Sequence, residues 1–407
     1  MANIGRQSQV EPQNIHHFMS NSPWSGAGLI KAVQAKVKQR AEFQSGAMLL
    51  IDESADEKSG QHSAGAGRQH NGRLGKIEMS QVGVFATIAT PTVSSWIDGE
   101  LFLPEEWFKP TAAKRRAKAD IPAERTFQTK PELAWQLIQR AQVNGVPFEA
   151  VAMDTLYGRS RWLRAQLEAN GIEYYADVPA DTQVYLCRPR LSYPTTKRAK
   201  CPSLIGRSYE VRAVALSQHL QWQQITLRPS EQGYLTAEFV RLPVWTLYQQ
   251  TIRQEWLLIR LNENRITYIL SNASPLTSLE TMAWRKSHRY FAECSNQDSK
   301  SELGWDEFQA IKYRAWQHHL ALTILASWFI AETRLDWAAQ YQCDPNLLAA
   351  YEVEVLPRLS MANVRDLLRA AMPLPQLSPA AAALLVVEHL DNRIRSRKSR
   401  LRNKSSP

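Results

Sequence analysis

Three acidic side chains, Asp52, Asp154 and Glu293, have the surroundings that phosphodiester chemistry asks for. Asp52 closes the apolar run Met48-Leu49-Leu50-Ile51, and Asp154 closes another at 148–153, the pattern of a buried strand delivering an acid at its tip. Glu293 comes much later, in a stretch of helical periodicity, with Arg289 four residues before it and Lys300 seven after. Those spacings put both cations on the face of the carboxylate, so an acid suited to a metal is flanked by charges suited to phosphate. Moving a phosphodiester bond needs an activated oxygen on one side and a stabilised leaving oxygen on the other, which two Mg²⁺ ions about 4 Å apart supply. Magnesium prefers carboxylate oxygens, so acids converging from separate elements suit it better than His or Cys clusters. Each acid has a plainer reading, since an Asp after a strand can cap a turn and a Glu on a helix can face solvent. Their order and spacing together favour the functional one.

The elements that must hold these residues follow from pattern. Residues 1–45 read as a polar helical segment, broken at Asn21-Ser22-Pro23 before an amphipathic stretch over 29–43. Beyond Asp52, residues 59–76 interleave Gly60, Gly65, Gly67, Gly72 and Gly75 with Arg68, Arg73 and Lys76, predicting a flexible basic connection with Arg68 and Lys76 able to approach a phosphate backbone. Strands are expected over 81–89 and 93–102, forming a meander with the Asp52 strand, and an exposed polar loop over 109–125. Pro131 marks the first turn of a helix that Gly145 stops. A helix over 159–170 and a strand over 172–178 continue the alternation. Several short runs within 182–272, among them 209–216, 222–227 and 255–261, predict an antiparallel β insertion. Helical periodicity returns near Leu276 and persists through Thr333, with Trp316, Leu320, Thr323, Ile324 and Ser327 on one face. The last stretch is helical up to a basic tail, where seven of the twelve residues 393–404 are Lys or Arg.

Composition bounds the partners. The 49 Lys and Arg against 39 Asp and Glu leave a formal charge of +10, which favours a polyanion such as nucleic acid. Cys187, Cys201, Cys294 and Cys343 show no C-x-x-C spacing, so neither a zinc site nor a redox pair is expected. The longest mostly apolar run, 320–331, is one buried helix long, and no basic start followed by an apolar core opens the chain; a cytoplasmic protein without a membrane partner is the expectation.

The spacing Arg289, three residues, Glu293, six residues, Lys300 resembles the Y-R-E-K signature of bacterial insertion-sequence transposases of the insertion-sequence-4 group. Other blocks are similar to its insertion-sequence-701 branch. They are Leu50-Ile51-Asp52-Glu53-Ser54 with Lys58 and Gly60, Gly75-Lys76 with Gln81-Val82, Thr129-Lys130-Pro131-Glu132-Leu133, Asp154 with Tyr157-Gly158, and Lys300-Ser301-Glu302-Leu303-Gly304 with Trp316 and His318. The resemblance implies an α/β fold with a ribonuclease H-like core interrupted by the β insertion and extended by helices at both ends. Its parts would be a helical N-terminal segment (1–45), the first part of the core (46–180), the insertion (181–275), core helices carrying the Glu (276–335) and a helical C-terminal region (336–407).

It also implies cut-and-paste transposition by a DDE enzyme: water nicks each transposon end, the freed 3′-hydroxyl attacks the opposite strand, and the released end attacks target DNA. Asp52, Asp154 and Glu293 would hold two Mg²⁺ ions, with Mn²⁺ able to substitute, and Arg289 and Lys300 would hold phosphates. The implied partners are double-stranded DNA, at terminal inverted repeats and target, and a second copy of the chain in the synaptic complex, near the bacterial nucleoid. The sequence departs from the signature at Lys286, which stands where the family has Tyr, so that the phosphate contact implied for the Tyr is either made by a Lys or lost. With only 51 residues before Asp52, this departure supports the alternative of a DNA-binding derivative that no longer cleaves.

Overall fold

The computed structural model describes residues 10–72, 75–192, 203–217, 219–230, 233–262, 265–307 and 309–371, with scattered positions between 378 and 394. The chain divides into a large unit, His17–Met361, and a small one made of Met1–His16 and Ala362–Pro407. The large unit opens with the last four residues of α1 (Pro12–Ser20) and with α2 (Gly26–Gln39), whose first turn is capped by the Ser25 hydroxyl accepting from the Gly28 N–H at 3.0 Å. There follow β1 (Met48–Glu57), β2 (Gly67–Asn71), β3 (Lys76–Ala89), β4 (Ser94–Phe102), α3 (Ala113–Lys118), α4 (Lys130–Val143), β5 (Ala150–Met153), α5 (Thr155–Gly158), α6 (Arg161–Ala169) and β6 (Glu173–Val178).

Next come β7 (Gln183–Tyr185), β8 (Arg190–Ser192), β9 (Ser203–Ile205), β10 (Ser208–Glu210), α7 (Val211–Ser217), β11 (Gln223–Ser230), β12 (Gly233–Tyr248), β13 (Thr251–Asn262) and β14 (Arg265–Ser271). Helices α8 (Leu279–Ser287), α9 (Tyr290–Ser301), α10 (Tyr313–Tyr341) and α11 (Pro345–Tyr351) complete the unit. The small unit contains all but the first residue of α12 (Met361–Ala371). The basic segment 393–404 lies outside the described residues except for Ile394. Among the described residues no helix is long and apolar enough to cross a membrane.

One mixed sheet of twelve strands organises the large unit, in the order β10-β7-β12-β13-β14-β6-β5-β1-β3-β2, with β11 on β12 and β4 on β3. Its centre is parallel: β1 pairs β5 with Ile51 opposite Met153, and β5 pairs β6 with Met153 opposite Ala176. Parallel neighbours need crossovers, which α4 and the α5–α6 pair supply. Helix α4 starts on a capping box in which Thr129 and Glu132 each satisfy the other's backbone N–H, and Pro131 stands in its first turn. The parallel strands are buried on both faces. Leu49, Ile51, Val151 and Met153 face the cluster containing α2, α4 and α10, while Met48, Leu50, Ala150 and Ala152 face the one under α8 and α9. The expected face of α10, Trp316, Leu320, Thr323, Ile324 and Ser327, is buried throughout.

The structure corrects four local expectations. Asp52 is not the tip of its strand, because β3 is long enough to pair with β1 as far as Glu57. Residues 59–76 are not one flexible connection, because β2 pairs with β3 from Gly67–Ser80 to Asn71–Lys76. The stretch 109–125 is not simply a loop: α3 lies within it, and its Arg115 and Arg116 stack on Trp107 and Phe108 at 4.1 and 4.9 Å, which shields the aromatic rings. Only the start of 209–216 is strand; from Val211 the chain is helical, burying Val211 and Val214 three residues apart. The strands read as an insertion also extend the central sheet itself, since β14 pairs antiparallel with β6.

Candidate active site

The parallel register brings the two aspartates together. Asp52 and Asp154 each stand one residue past the matched pair Ile51 and Met153, so they are neighbours on the face of Leu50 and Ala152. Continuing the rank, Asp177 stands one residue past Ala176 on β6. Three aspartates thus line up across three adjacent strands. Above them runs α9, begun by Arg289 and carrying Glu293, Asn296 and Lys300.

Asp52, Asp154, Arg289, Glu293, Asn296 and Lys300 line one cleft of about 590 Å³, together with Glu53 and the hairpin residues His70, Asn71 and Gly72. Asp52 Oδ1 accepts from the Glu53 N–H at 2.9 Å, and its Oδ2 accepts from Asn296 Nδ2 at 3.2 Å. Trp96 Nε1 donates to Asn296 Oδ1 at 3.1 Å and fixes the orientation of that amide. Asp154 caps α5, its Oδ1 accepting from the N–H groups of Leu156 at 3.0 Å and Tyr157 at 3.4 Å. The cap reading and the functional reading of this residue therefore coexist.

Charge explains the electrostatics. Burial pushes the Asp52 carboxyl up to about 7; Arg289 opposes the rise and Asp154 adds to it. Burial also raises Asp154, with Arg289 opposing and Glu53 adding. Arg289 is the counter-charge of the whole cleft: its Nε lies 3.3 Å from Asp177 Oδ2, and it forms an ion pair with Glu293 one helical turn on. Burial disfavours its charge, but Asp177, Glu293, Asp52 and Asp154 outweigh that cost and raise its affinity for the proton. Glu293 remains 57 % exposed on its side-chain atoms, so its carboxylate has room to turn.

The other expected contacts are placed as follows. Lys300 donates to the Ala55 carbonyl at 2.9 Å and pairs with buried Asp56 at 3.4 Å, which ties α9 to β1. Lys286 is buried and pairs with Asp177 at 3.0 Å rather than lining the cleft. Lys76 and Arg68 lie on the β2–β3 hairpin outside the cleft lining, Lys76 paired with Glu78 at 2.8 Å. His288 Nδ1 donates to the Trp284 carbonyl, 2.9 Å away, and His288 is also buried.

Sequence reasoning missed four participants. Asp177 sits in an alternating strand and looked like any outward polar residue. Asn296 is uncharged. Glu53 pairs with Lys130 at 2.7 Å, joining two of the recognised blocks that are far apart in sequence. Tyr157 is fully buried with no hydrogen-bond partner for its hydroxyl among the described residues, and burial followed by Glu53, Asp52 and Asp154 pushes its pKa well above the ordinary value. The pairing of Asp154 with Tyr157-Gly158 was the available signal for that residue.

As donors, Asp52 and Asp154 suit a hard divalent cation: two adjacent carboxylates, costly to ionise without a counter-charge. Glu293 is held by Arg289, and no group of three or more acidic, His or Cys side chains among the described residues is arranged to hold a metal ion.

The Asp52 environment has a thermodynamic consequence. An acid whose pKa rises on folding makes the folded state bind the extra proton, so its contribution to stability is lost as pH climbs from about 4 towards 7. In chelator, wild type should lose on the order of 3 kcal/mol relative to Asp52→Asn across that window. Chemical unfolding of both proteins at pH 4.5, 6 and 8 measures it; parallel pH profiles would contradict the raised pKa.

Two comparisons with known proteins agree with this geometry. A family model described as DDE superfamily endonuclease matches residues 1–234, which include Asp52, Asp154 and Asp177 and end before Glu293. A curated protein of Microchaete diplosiphon, "Probable transposase for insertion sequence element IS701", is 25 % identical over 312 residues, covering 74 % of this chain and 69 % of its own length.

Proposed function

Since the chain belongs to the DDE superfamily endonucleases, we propose that it is a transposase that cuts an insertion sequence out of DNA and joins its ends to a target by a metal-dependent, cut-and-paste route. The observation that carries this reading is the rank of Asp52 and Asp154 on neighbouring parallel strands beneath a helix bearing Glu293. The order β4-β3-β1-β5-β6, with acids on β1 and just past the end of β5 and a third on a later helix, supports a ribonuclease H-like core. Asp52, Asp154 and Glu293 are the proposed ligands of two Mg²⁺ ions, which Mn²⁺ can replace; when bound, the ions activate an oxygen nucleophile and stabilise the leaving oxygen.

The chain's own residues then divide the remaining work. Arg289, which balances the acids here, would hold the scissile phosphate once cations take over that balance. Glu293, half-exposed and released from Arg289, would turn to the aspartates. Asn296 keeps Asp52 Oδ2 oriented, and Lys300 holds α9 over β1 while presenting positive charge to the cleft. Lys286 supports Arg289 through their shared partner Asp177. Arg68 and Lys76 would meet DNA from the hairpin whose tip lines the cleft. The proposed partners are double-stranded DNA at terminal repeats and target, and a second copy of the chain during synapsis.

The test is strand cleavage on the DNA flanking the gene. Purified protein with Mg²⁺ or Mn²⁺ should nick both element ends; excess EDTA should stop cleavage while leaving much of the DNA binding, and added Mg²⁺ should restore it. A second reading, DNA binding without cleavage, draws on the ion pair that holds Glu293 away from the aspartates and on buried Lys286. Normal binding with no nicks in either metal would select it.

A further inference from the structure

The sheet face that carries the aspartates continues beyond Asp177 and changes sign. Asp177 lies opposite Ile269 on β14, and Ile269 opposite Leu258 on β13. Two residues along β13 on the same face is Arg260, which is matched to Thr267 on one side and Phe239 on the other. Arg265 shares that face two residues before Thr267, and Arg228 reaches it from β11, opposite Leu235. The apolar part of the face, Ile225, Leu227, Ala237, Phe239, Leu258 and Ile269, belongs to the core under α8 and α9. Arginines therefore form the rim of a surface whose other end is the acidic cleft.

These arginines are not neutralised by a carboxylate as Arg164, Arg285 and Arg289 are. Arg241, on the same face, donates to the Thr277 carbonyl and stacks on Trp256 at 4.7 Å. Arg228, Arg260 and Arg265 have no ion pair among the described residues. Arg228 lies over the half-exposed ring of Tyr290 at 3.9 Å, immediately beside Arg289 in sequence. Arg260 lies over Phe239 at 6.0 Å, and its buried Nε has no hydrogen-bond partner among the described residues. Burial lowers its pKa, Asp177 works against that, and the charges of Arg228 and Arg265 lower it further. Three guanidinium groups gathered near one another at a cost, with one donor idle, are complementary to a polyanion.

We infer that Arg228, Arg260 and Arg265, with Tyr290 beside them, form a docking strip for the phosphate backbone of duplex DNA that enters or leaves the cleft. This rests on the transposase reading for its partner, and assigns to the β11–β14 face a role in gripping DNA. Guanidinium forks bind phosphate oxygens in pairs, and three of them along one sheet face span several phosphates without reading base sequence.

The experiment is DNA binding by the full chain in chelator, measured against salt from 50 to 300 mM, on flanking-end duplex and on an unrelated duplex of equal length. The variants are Arg228→Gln, Arg260→Gln, Arg265→Gln and their triple combination, each checked for a wild-type melting temperature. Each phosphate that is no longer neutralised should flatten the log–log salt slope by about 0.9, so the triple variant should lose between two and three units of slope and about 10²-fold affinity near 150 mM salt, equally on both duplexes. Should the half-buried Arg260 variant fail to fold, the double variant of Arg228 and Arg265 carries the test with a loss of up to two units. Variants that bind with the wild-type slope would overturn the strip while leaving the transposase reading intact. An unaltered chain that binds neither duplex in a salt-dependent way would overturn that reading, and the strip with it.

Discussion

Replacing Asp154 by Asn should cut DNA cleavage by about 10³-fold or more and at the same time make the metal-free protein more stable. Loss of activity follows because a metal ligand disappears: several kcal/mol of transition-state stabilisation is at stake, and each 1.4 kcal/mol is a factor of ten. The gain in stability follows from the site itself. Asp154 ionises at a cost imposed first by burial, and Glu53 adds to it. Asn keeps the one interaction that shapes the local chain, since its carbonyl oxygen can accept from Leu156 and Tyr157 at the start of α5 just as the carboxylate does. Relief from one buried charge beside another should raise the melting temperature at pH 8, where wild-type Asp154 must ionise. Cleavage assays and melting curves in EDTA test both halves. A variant that melts below wild type would mean that the carboxylate serves the fold rather than the chemistry, and a variant that still nicks DNA would remove Asp154 from the site.

That opposition between stability and activity also explains which parts of the site were legible in sequence. The apolar runs that lead into Asp52 and Asp154 announced themselves because parallel central strands are apolar on both faces, leaving the acid conspicuous. Arg289 and Glu293 could be paired from helical spacing alone, and the structure joins them across one turn. Asp177 could not be found this way. Its role depends on register between β5 and β6, and strand pairing is set by contacts distant in sequence. The i+7 spacing correctly put Lys300 on the face of Glu293 but could not foresee that β1 continues past Asp52 and offers it Asp56 and the Ala55 carbonyl. Glycine spacing misled in 59–76, where it suggested mobility in a segment that β3 captures as a strand. Tyr209 and its successors carry β-favouring side chains, yet burial of Val211 and Val214 against the insertion core makes them helical from Val211, a tertiary override of local preference.

Gly158→Ala should be the most damaging conservative change in the chain outside the acids. A Cβ at Gly158 would lie 1.9 Å from the Asp177 carbonyl oxygen, whereas real Cβ contacts stay beyond 3.0 Å. The obstacle is backbone of a central strand, which has no rotamer to yield, so α5 or β6 must move. Both ends of that movement matter. Asp154 caps α5, and Asp177 holds Arg289 and Lys286. The turn is further pinned by buried Arg164, which donates to the Gly158 carbonyl and pairs with Glu255 of β13 at 3.2 Å, while Tyr174 donates to the same Glu255 at 2.5 Å. A shift at Gly158 therefore reaches the aspartate rank and the insertion strands together. The expected outcome is a loss of about 3 kcal/mol or more in unfolding free energy, with cleavage reduced further than stability alone accounts for. Gly60→Ala provides the comparison, since nothing lies within 4 Å of a Cβ there, and it should change stability by no more than about 0.5 kcal/mol. Denaturant unfolding and cleavage by the two variants, side by side, settle the matter: equal behaviour would mean that α5 does not pack on β6 as closely as the position of Asp154 requires.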